Sequence, residues 1–213
     1  HQAQVRHRHQ VVADAPGVGG RERRSQVQRD LVAEEVERLI SISNKLLVLS
    51  QADAGRMTLE KQPIKFNDLI GEMVEDLKSA HRSLRFSVDL APGISFAGDP
   101  ELIQQLMSNL FGNAVKYNHP EGQVSFKAAT LHKKVVFSIS NTTHLSQEGL
   151  DERVFERFYR HRVAENHEIS RAAGSGLGLS LCREIVTAHG GDIKLSVPAQ
   201  GWVSFECTLP TES

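Results

Sequence analysis

Glycines alternate through Gly174-Ser175-Gly176-Leu177-Gly178-Leu179, and well upstream Asn109 and Asn113 stand four residues apart in Asn109-Leu110-Phe111-Gly112-Asn113-Ala114-Val115-Lys116-Tyr117. Alternate glycines let a backbone turn tightly and leave its N–H groups uncovered, so that several can converge on one anion. The apolar run from Leu177 to Thr187 predicts a helix whose N-terminus adds partial positive charge at the same place. An i, i+4 asparagine pair shares one helix face. Together these features predict a nucleotide-phosphate site with a metal ligand opposite the glycine turn.

The elements that must hold such a site are readable in part. From about Gln28 to Ala54, Leu39, Ile42, Leu46 and Leu49 alternate steps of three and four, the seam of a helical bundle, widened by Ile40 and Leu47. About 26 helical residues would span about 39 Å and could not hide that stripe alone. Dimerisation through this helix is therefore expected, with Gly55 as its stop. Residues 57–213 read as one α/β domain. Met57–Glu60 is expected as a short strand, Asn67 as the cap of a helix to Ala80, and Asp99 as the cap of the helix carrying the asparagines. Alternating patterns predict strands at 84–90, 94–97, 123–129, 134–140, 192–197 and 203–209. Between the last two strand pairs, Thr142–Ala173 is long, polar and irregular, the signature of a functional lid, with an amphipathic patch at Val154–Tyr159.

Composition narrows the function. The chain has 213 residues, a formal net charge of −1 and 39% hydrophobic residues. That balance argues against a general nucleic-acid binder. No apolar stretch approaches a bilayer span, and no signal peptide is visible. Residues 1–28 are rich in arginine and glutamine, carry glycines at 17, 19 and 20, and predict an irregular basic segment. Cys182 and Cys207 lack metal-ligand spacing and read as reduced core thiols.

In this order the pieces resemble the ATP-binding catalytic domain of bacterial sensor histidine kinases, of the GHKL ATPase type. Asn109-Leu110-x-x-Asn113-Ala114-x-Lys116-Tyr117 is similar to their asparagine box, Val154-Phe155-Glu156-Arg157-Phe158-Tyr159-Arg160 to their phenylalanine box, and 174–179 to their second glycine box. The helix ending Gln51-Ala52-Asp53-Ala54-Gly55 resembles the second helix of their dimerisation hairpin, and the wording is closest to kinases of the heavy-metal-sensing kind.

The resemblance implies an α+β fold, a two-layer α/β sandwich with a mixed sheet of about five strands and helices on one face, preceded by a long bundle-forming helix. It divides the chain into a basic segment (1–28), a partial dimerisation and phosphoacceptor helix (29–55) and the catalytic domain (56–213). It implies ATP and Mg²⁺ as cofactors, Mg²⁺ on the Asn113 amide oxygen, Lys116 on a phosphate and Tyr117 against the nucleotide. Asn109, Asn113, Arg157 and Arg160 become the catalytic set, the arginines facing the γ-phosphate. Asn141, Phe158, Gly174, Gly176, Leu177 and Gly178 become further nucleotide contacts. The implied partners are a second copy through the heptad helix and the receiver domain of a response regulator. The implied setting is the cytosolic part of a membrane sensor, its membrane segments lying upstream.

Two departures from the pattern matter. Where the family commonly carries Asp and glycines to receive the adenine amino group, this chain has Ser140-Asn141-Thr142-Thr143-His144-Leu145. A neutral amide gives up the charge-assisted part of that hydrogen bond, so ATP binding is expected to be weakened rather than abolished. Further, none of His1, His7 and His9 has the acidic residue and later Thr/Asn-Pro expected around a phosphoacceptor. That helix reads as missing, truncated or scrambled, and the acceptor must come from elsewhere. The alternatives are a degenerate nucleotide-binding regulatory module, a GHKL ATPase of the repair, topoisomerase or chaperone kind, and a serine kinase acting on an anti-sigma partner.

Overall fold

Proline at the first helical position and an aspartate before it are a strong start signal, and Asp99-Pro100 uses both. In the computed structural model, which describes residues 18–143, 150–160 and 174–211 (side chains of 18–27, 30, 31 and 34 excepted), Asp99 Oδ1 accepts hydrogen bonds from the backbone N–H of Glu101 and Leu102. Helix α3, Pro100–Lys116, follows, burying Ile103, Leu106, Met107, Leu110, Phe111 and Ala114 along one stripe.

The other elements are α1 (Val18–Asp53), β1 (Gln62–Lys65), α2 (Phe66–Ala80), β2 (Arg85–Leu90), β3 (Ser95–Gly98), β4 (Gln123–Leu131), β5 (Lys134–Thr142), a 3-10 turn at Glu152–Phe155, α4 (Gly178–Ala188), β6 (Asp192–Ser196) and β7 (Trp202–Pro210). One five-stranded sheet runs β2-β4-β5-β7-β6, and β1 pairs with β3 in a separate ribbon. Only the β2–β4 pairing in the larger sheet is parallel, so the sheet is mixed as expected.

Strand side chains alternate between faces. On β4 the inward set is Val124, Phe126 and Ala128, and on β5 it is Val135, Phe137, Ile139 and Asn141. The core they meet is aromatic at its centre. Phe66 lies 5.4 Å from Phe137 and 6.1 Å from Phe126, centroid to centroid, and Phe111 lies 5.6 Å from Phe126.

The chain divides into two units, residues 1–41 and 42–213. Helix α1 begins at Val18, so the irregular segment expected over 1–28 is helical from 18 onward; residues 1–17 lie outside the described residues. Val32, Val36, Leu39 and Ile40 are exposed on the first unit. In the second, Leu49 is 1% exposed and joins the core, with Ile42 and Val48 packed against it, whereas Leu46 and Leu47 remain exposed. Gly55 closes the helix with φ +62°, the left-handed stop expected of it.

Two local expectations are corrected. Met57–Glu60 is not a strand; the strand begins at Gln62, because pairing with β3 sets its limits. Asn67 does not cap α2, which starts at Phe66 after Lys65. Its side chain donates to the Ala91 carbonyl (2.9 Å) and accepts from the Ile94 N–H (2.8 Å), pinning the 91–94 turn. His189 is 3% exposed, forms the C-cap of α4 and clasps two helices. Its Nδ1 donates to the Ile185 carbonyl (2.8 Å), and its Nε2 accepts from the Asp99 N–H (3.0 Å).

That arrangement requires a neutral ring, and burial holds the His189 pKa below its ordinary value. Neighbouring Asp99 and the Ile185 bond oppose this, while Lys61 adds to it. A depressed imidazole pKa means that the unfolded chain takes up a proton first as pH falls. Stability is therefore complete above the ordinary histidine range and declines as pH drops through it, by at most about 1.4 kcal/mol per pH unit. Thermal melts of wild type and His189→Gln between pH 8 and 5 should show the steeper acid loss in wild type.

Candidate functional site

Ser108, Asn109, Gly112, Asn113 and Lys116 recur at the spacing of one helix face, and that face of α3 forms one wall of a cleft of about 330 Å³. The opposite wall is Gly174, Ser175, Gly176 and Gly178, at the entry to α4. The asparagine face and the glycine turn thus share a cleft. Their closeness is measurable: a Cβ added at Gly178 would lie 3.4 Å from Asn109 Oδ1, and one at Gly174 would lie 3.3 Å from Lys116 Nζ. Leu177 is buried beneath the turn as part of the core, so it contributes support rather than a side chain in the cleft.

The turn holds its shape through Gly176 and Phe158. Gly176 has φ +72°, and its carbonyl accepts from the Phe158 N–H at 2.9 Å. Phe158 itself sits at φ +62°. A Cβ at Gly176 would lie 2.8 Å from Phe158 Cα. Only glycine fits there.

A smaller apolar recess of about 80 Å³ continues the cleft, sharing Asn113, Tyr117, Val154, Tyr159, Arg160 and Leu179 with it. Asn141, Leu150, Val203 and Phe205 line only this recess. Asn141 is 1% exposed, on the inward face of β5, and its Nδ2 donates to the Thr142 carbonyl at 2.8 Å. A polar residue in an otherwise apolar inward series (135, 137, 139) is a signal in its own right. In the main cleft, Lys116 Nζ lies 5.0 Å from the Tyr117 ring, and burial raises the Tyr117 hydroxyl pKa against the pull of Arg160.

Electrostatically the main cleft is one-sided. Lys45, Lys116 and Arg160 line it, and no carboxylate does among the described residues. The one buried side-chain nitrogen or oxygen without a hydrogen-bond partner among the described residues is Nδ2 of Asn109. Orphaned donors of that kind cost free energy unless a ligand satisfies them. The described residues contain no cluster of three or more His, Cys, Asp or Glu able to hold a metal. A single amide oxygen at Asn113 fits Mg²⁺, which keeps waters and takes phosphate oxygens in place of a full protein cage.

Two expected contacts fall elsewhere. Arg157 is spent on Asp53 of α1, two bonds of 2.5 and 2.6 Å, with Glu184 at 3.9 Å; it does not line the cleft. The guanidinium holds the Asp53 carboxyl below its ordinary range. Phe158 is 66% exposed and lines neither part of the cleft; its contribution is the backbone bond to Gly176. Phe155 is the buried aromatic of that segment, packed edge-on against Phe205 at 6.0 Å. Residues 144–149 and 161–173, the greater part of the expected lid, lie outside the described residues.

Sequence reasoning missed the lock at the end of α3. Asn118 Oδ1 accepts from Thr142 Oγ1 (2.5 Å) and from the His119 N–H (2.9 Å), while its Nδ2 donates to the Gln123 carbonyl (3.1 Å). Gly122 makes room for it, since a Cβ there would lie 2.0 Å from Asn118 Oδ1. An asparagine two residues before proline reads as an ordinary turn, and nothing local marks Thr142 as its partner.

Residues 98–213 match the family described as "Histidine kinase-, DNA gyrase B-, and HSP90-like ATPase". Heme sensor protein HssS of Staphylococcus aureus (strain Newman) is 29% identical over 209 residues, 97% of this chain and 44% of that protein. The chain therefore spans less than half the length of the curated relative it matches. The catalytic domain of histidine kinase ThkA superposes with a TM-score of 0.63 at 25% identity, covering 72% of this chain and 99% of that one. ThkA in complex with response regulator protein TrrA gives 0.65 at 22% identity, covering 93% and 53%. Full-length ShkA in complex with AMPPNP gives 0.71 at 24% identity, covering 89% and 39%; these last two likenesses speak to the fold alone.

The chain belongs to the histidine kinase-, DNA gyrase B- and HSP90-like ATPase family. Within it, this is the ATP-binding kinase core of a sensor histidine kinase.

Proposed function

We propose that this chain binds Mg-ATP in the α3–α4 cleft and presents the γ-phosphoryl group to a histidine imidazole on a dimerisation hairpin. The observation that carries this is the cleft itself, with an amide-bearing helix face and a left-handed glycine turn on opposite sides, cations lining it, and Asn109 in its wall with a buried Nδ2 that no described residue satisfies. The adenine ring enters the apolar recess, where Asn141 supplies the amide acceptor and Tyr117 and Phe205 the apolar walls. The triphosphate runs toward Gly174, Gly176 and Gly178, whose N–H groups and the start of α4 receive it. Lys116 and Arg160 neutralise its charge. Asn113 would hold Mg²⁺, which would supply positive charge to offset that of the phosphates.

In the transfer, a neutral imidazole nitrogen forms the new N–P bond as the bond from phosphorus to the β–γ bridging oxygen breaks, leaving ADP and phosphohistidine. Little covalent chemistry falls to the protein, whose contribution is positioning and charge. The phosphoryl group then passes to an aspartate of a response-regulator receiver domain. The exposed stripe of α1 (Val32, Val36, Leu39, Ile40) supports a second copy as the helix's partner. No helix among the described residues is long and apolar enough to cross a membrane.

The test uses γ-³²P-ATP, the 213-residue chain and a separate hairpin bearing an intact phosphoacceptor histidine. The expected outcome is acid-labile, base-stable label on the hairpin. ATP binding with no label transferred would favour the regulatory-module alternative, for which the neutral adenine acceptor Asn141 speaks.

A further inference from the structure

A lysine from the long helix lines the same cleft. Lys45 lies on α1 within the second unit, half-buried, and it lines the main cleft together with Asn109 and the glycine turn but not the Asn141 recess. Its helix is not loosely placed there. Leu49, one turn further on, is in the core, and Asp53, two turns on, is gripped by Arg157. Lys45 forms no ion pair with any described residue, and no described carboxylate lines the cleft. A half-buried lysine with no described carboxylate beside it, on the cleft that Asn109 and the glycine turn also line, sits where an anion belongs.

We infer that Lys45 is a ligand for the terminal phosphate of the bound nucleotide, so that the long helix itself completes the triphosphate site. This rests on the nucleotide reading above. The position along the cleft sets the phosphate concerned: adenine at Asn141 places the glycine end, and Lys45 with it, at the far end of the chain of phosphates. ATP then engages the helix and ADP does not, which makes the helix a reader of the nucleotide's state. Lys116 and Arg160, on the catalytic domain's own elements, serve the nucleotide wherever the helix lies.

The experiment titrates the whole chain with Mg-AMPPNP, Mg-ADP and adenosine, in wild type, Lys45→Met, Lys45→Arg and Asn113→Ala, with thermal melts to verify folding and Lys45→Gln in reserve if the methionine variant melts early. Losing a charge-assisted contact should weaken AMPPNP binding about tenfold or more. ADP should change much less, adenosine not at all, and Lys45→Arg should recover most of the loss. Equal weakening of AMPPNP and ADP would overturn the terminal-phosphate assignment. AMPPNP binding within about twofold of wild type in Lys45→Met, beside its loss in Asn113→Ala, would overturn the inference and leave the nucleotide site standing. Failure of wild type to bind AMPPNP would sink both.

Discussion

Asn113→Ala should lose Mg-nucleotide binding by about 100-fold in a calorimetric titration while melting close to wild type. The side chain is half-buried and borders both parts of the cleft, so it faces the cleft rather than the core. Its amide oxygen is the protein ligand proposed for Mg²⁺, and the described residues gather no acidic cluster to replace it. Removing a bond to a charged partner in a partly desolvated site carries roughly 1.5–3 kcal/mol, which is about one to two orders of magnitude in affinity. Adenosine, which brings no phosphate and no metal, should bind both proteins alike. Asn113→Asp should keep metal affinity yet set a negative side chain against the phosphates. A nucleotide affinity unchanged in Asn113→Ala would remove the residue from the site.

Gly176→Ala should be the most damaging single methyl group in the cleft. Two effects add. The residue is at φ +72°, where a Cβ costs about 1–2 kcal/mol. The new carbon would also meet Phe158 backbone atoms at 2.8 and 2.9 Å, and backbone cannot swing aside as a side chain can. Relief means breaking the bond from the Phe158 N–H to the Gly176 carbonyl, which joins the segment after the 3-10 turn to the glycine turn. The expected result is a fall in melting temperature of several degrees, at about 2–4 °C per kcal/mol, together with loss of triphosphate affinity. Gly112→Ala is the control. It lines the same cleft, and a Cβ there meets nothing within 4 Å. Gly176→Ala with wild-type melting and wild-type affinity would show that the turn is not held as described.

Where local chemistry decides, the fold was legible. Asp99 announced α3, and period-two alternation placed β4, β5, β6 and β7 within a residue or two at most of their ends. The asparagine face and the glycine turn were legible for the same reason, since each is a local pattern. The errors lie where a distant partner overrules a local preference. Asn67 has the chemistry of a cap, yet the backbone of residues 91 and 94 claims its amide. Arg157 sits in the box expected to serve the γ-phosphate, but its partner is 104 residues away in sequence, at the end of another helix. Phe158 was a nucleotide contact implied by its place in the phenylalanine box; what the structure shows is its backbone bond to the glycine turn. His189 gives no hint of its bond to Asp99, which exists only once α3 and α4 pack together.

The start of α1 differs in another way. Gly19, Gly20 and the arginines lower helix propensity or break its apolar period, which is why residues before 28 read as irregular. Helix nevertheless extends back to Val18. Once a helix is nucleated, each added residue costs little, so poor formers are carried along.

The most direct test follows the side-chain amides of Asn109 and Asn113 and the backbone amides of Gly174, Gly176 and Gly178 by NMR, as Mg-AMPPNP is added to the isotope-labelled chain. If α3 and the glycine turn close on one triphosphate, all five signals move along a single binding curve, and the Asn109 amide shows a newly formed hydrogen bond. Movement at only one wall, or two walls titrating with different affinities, would contradict it.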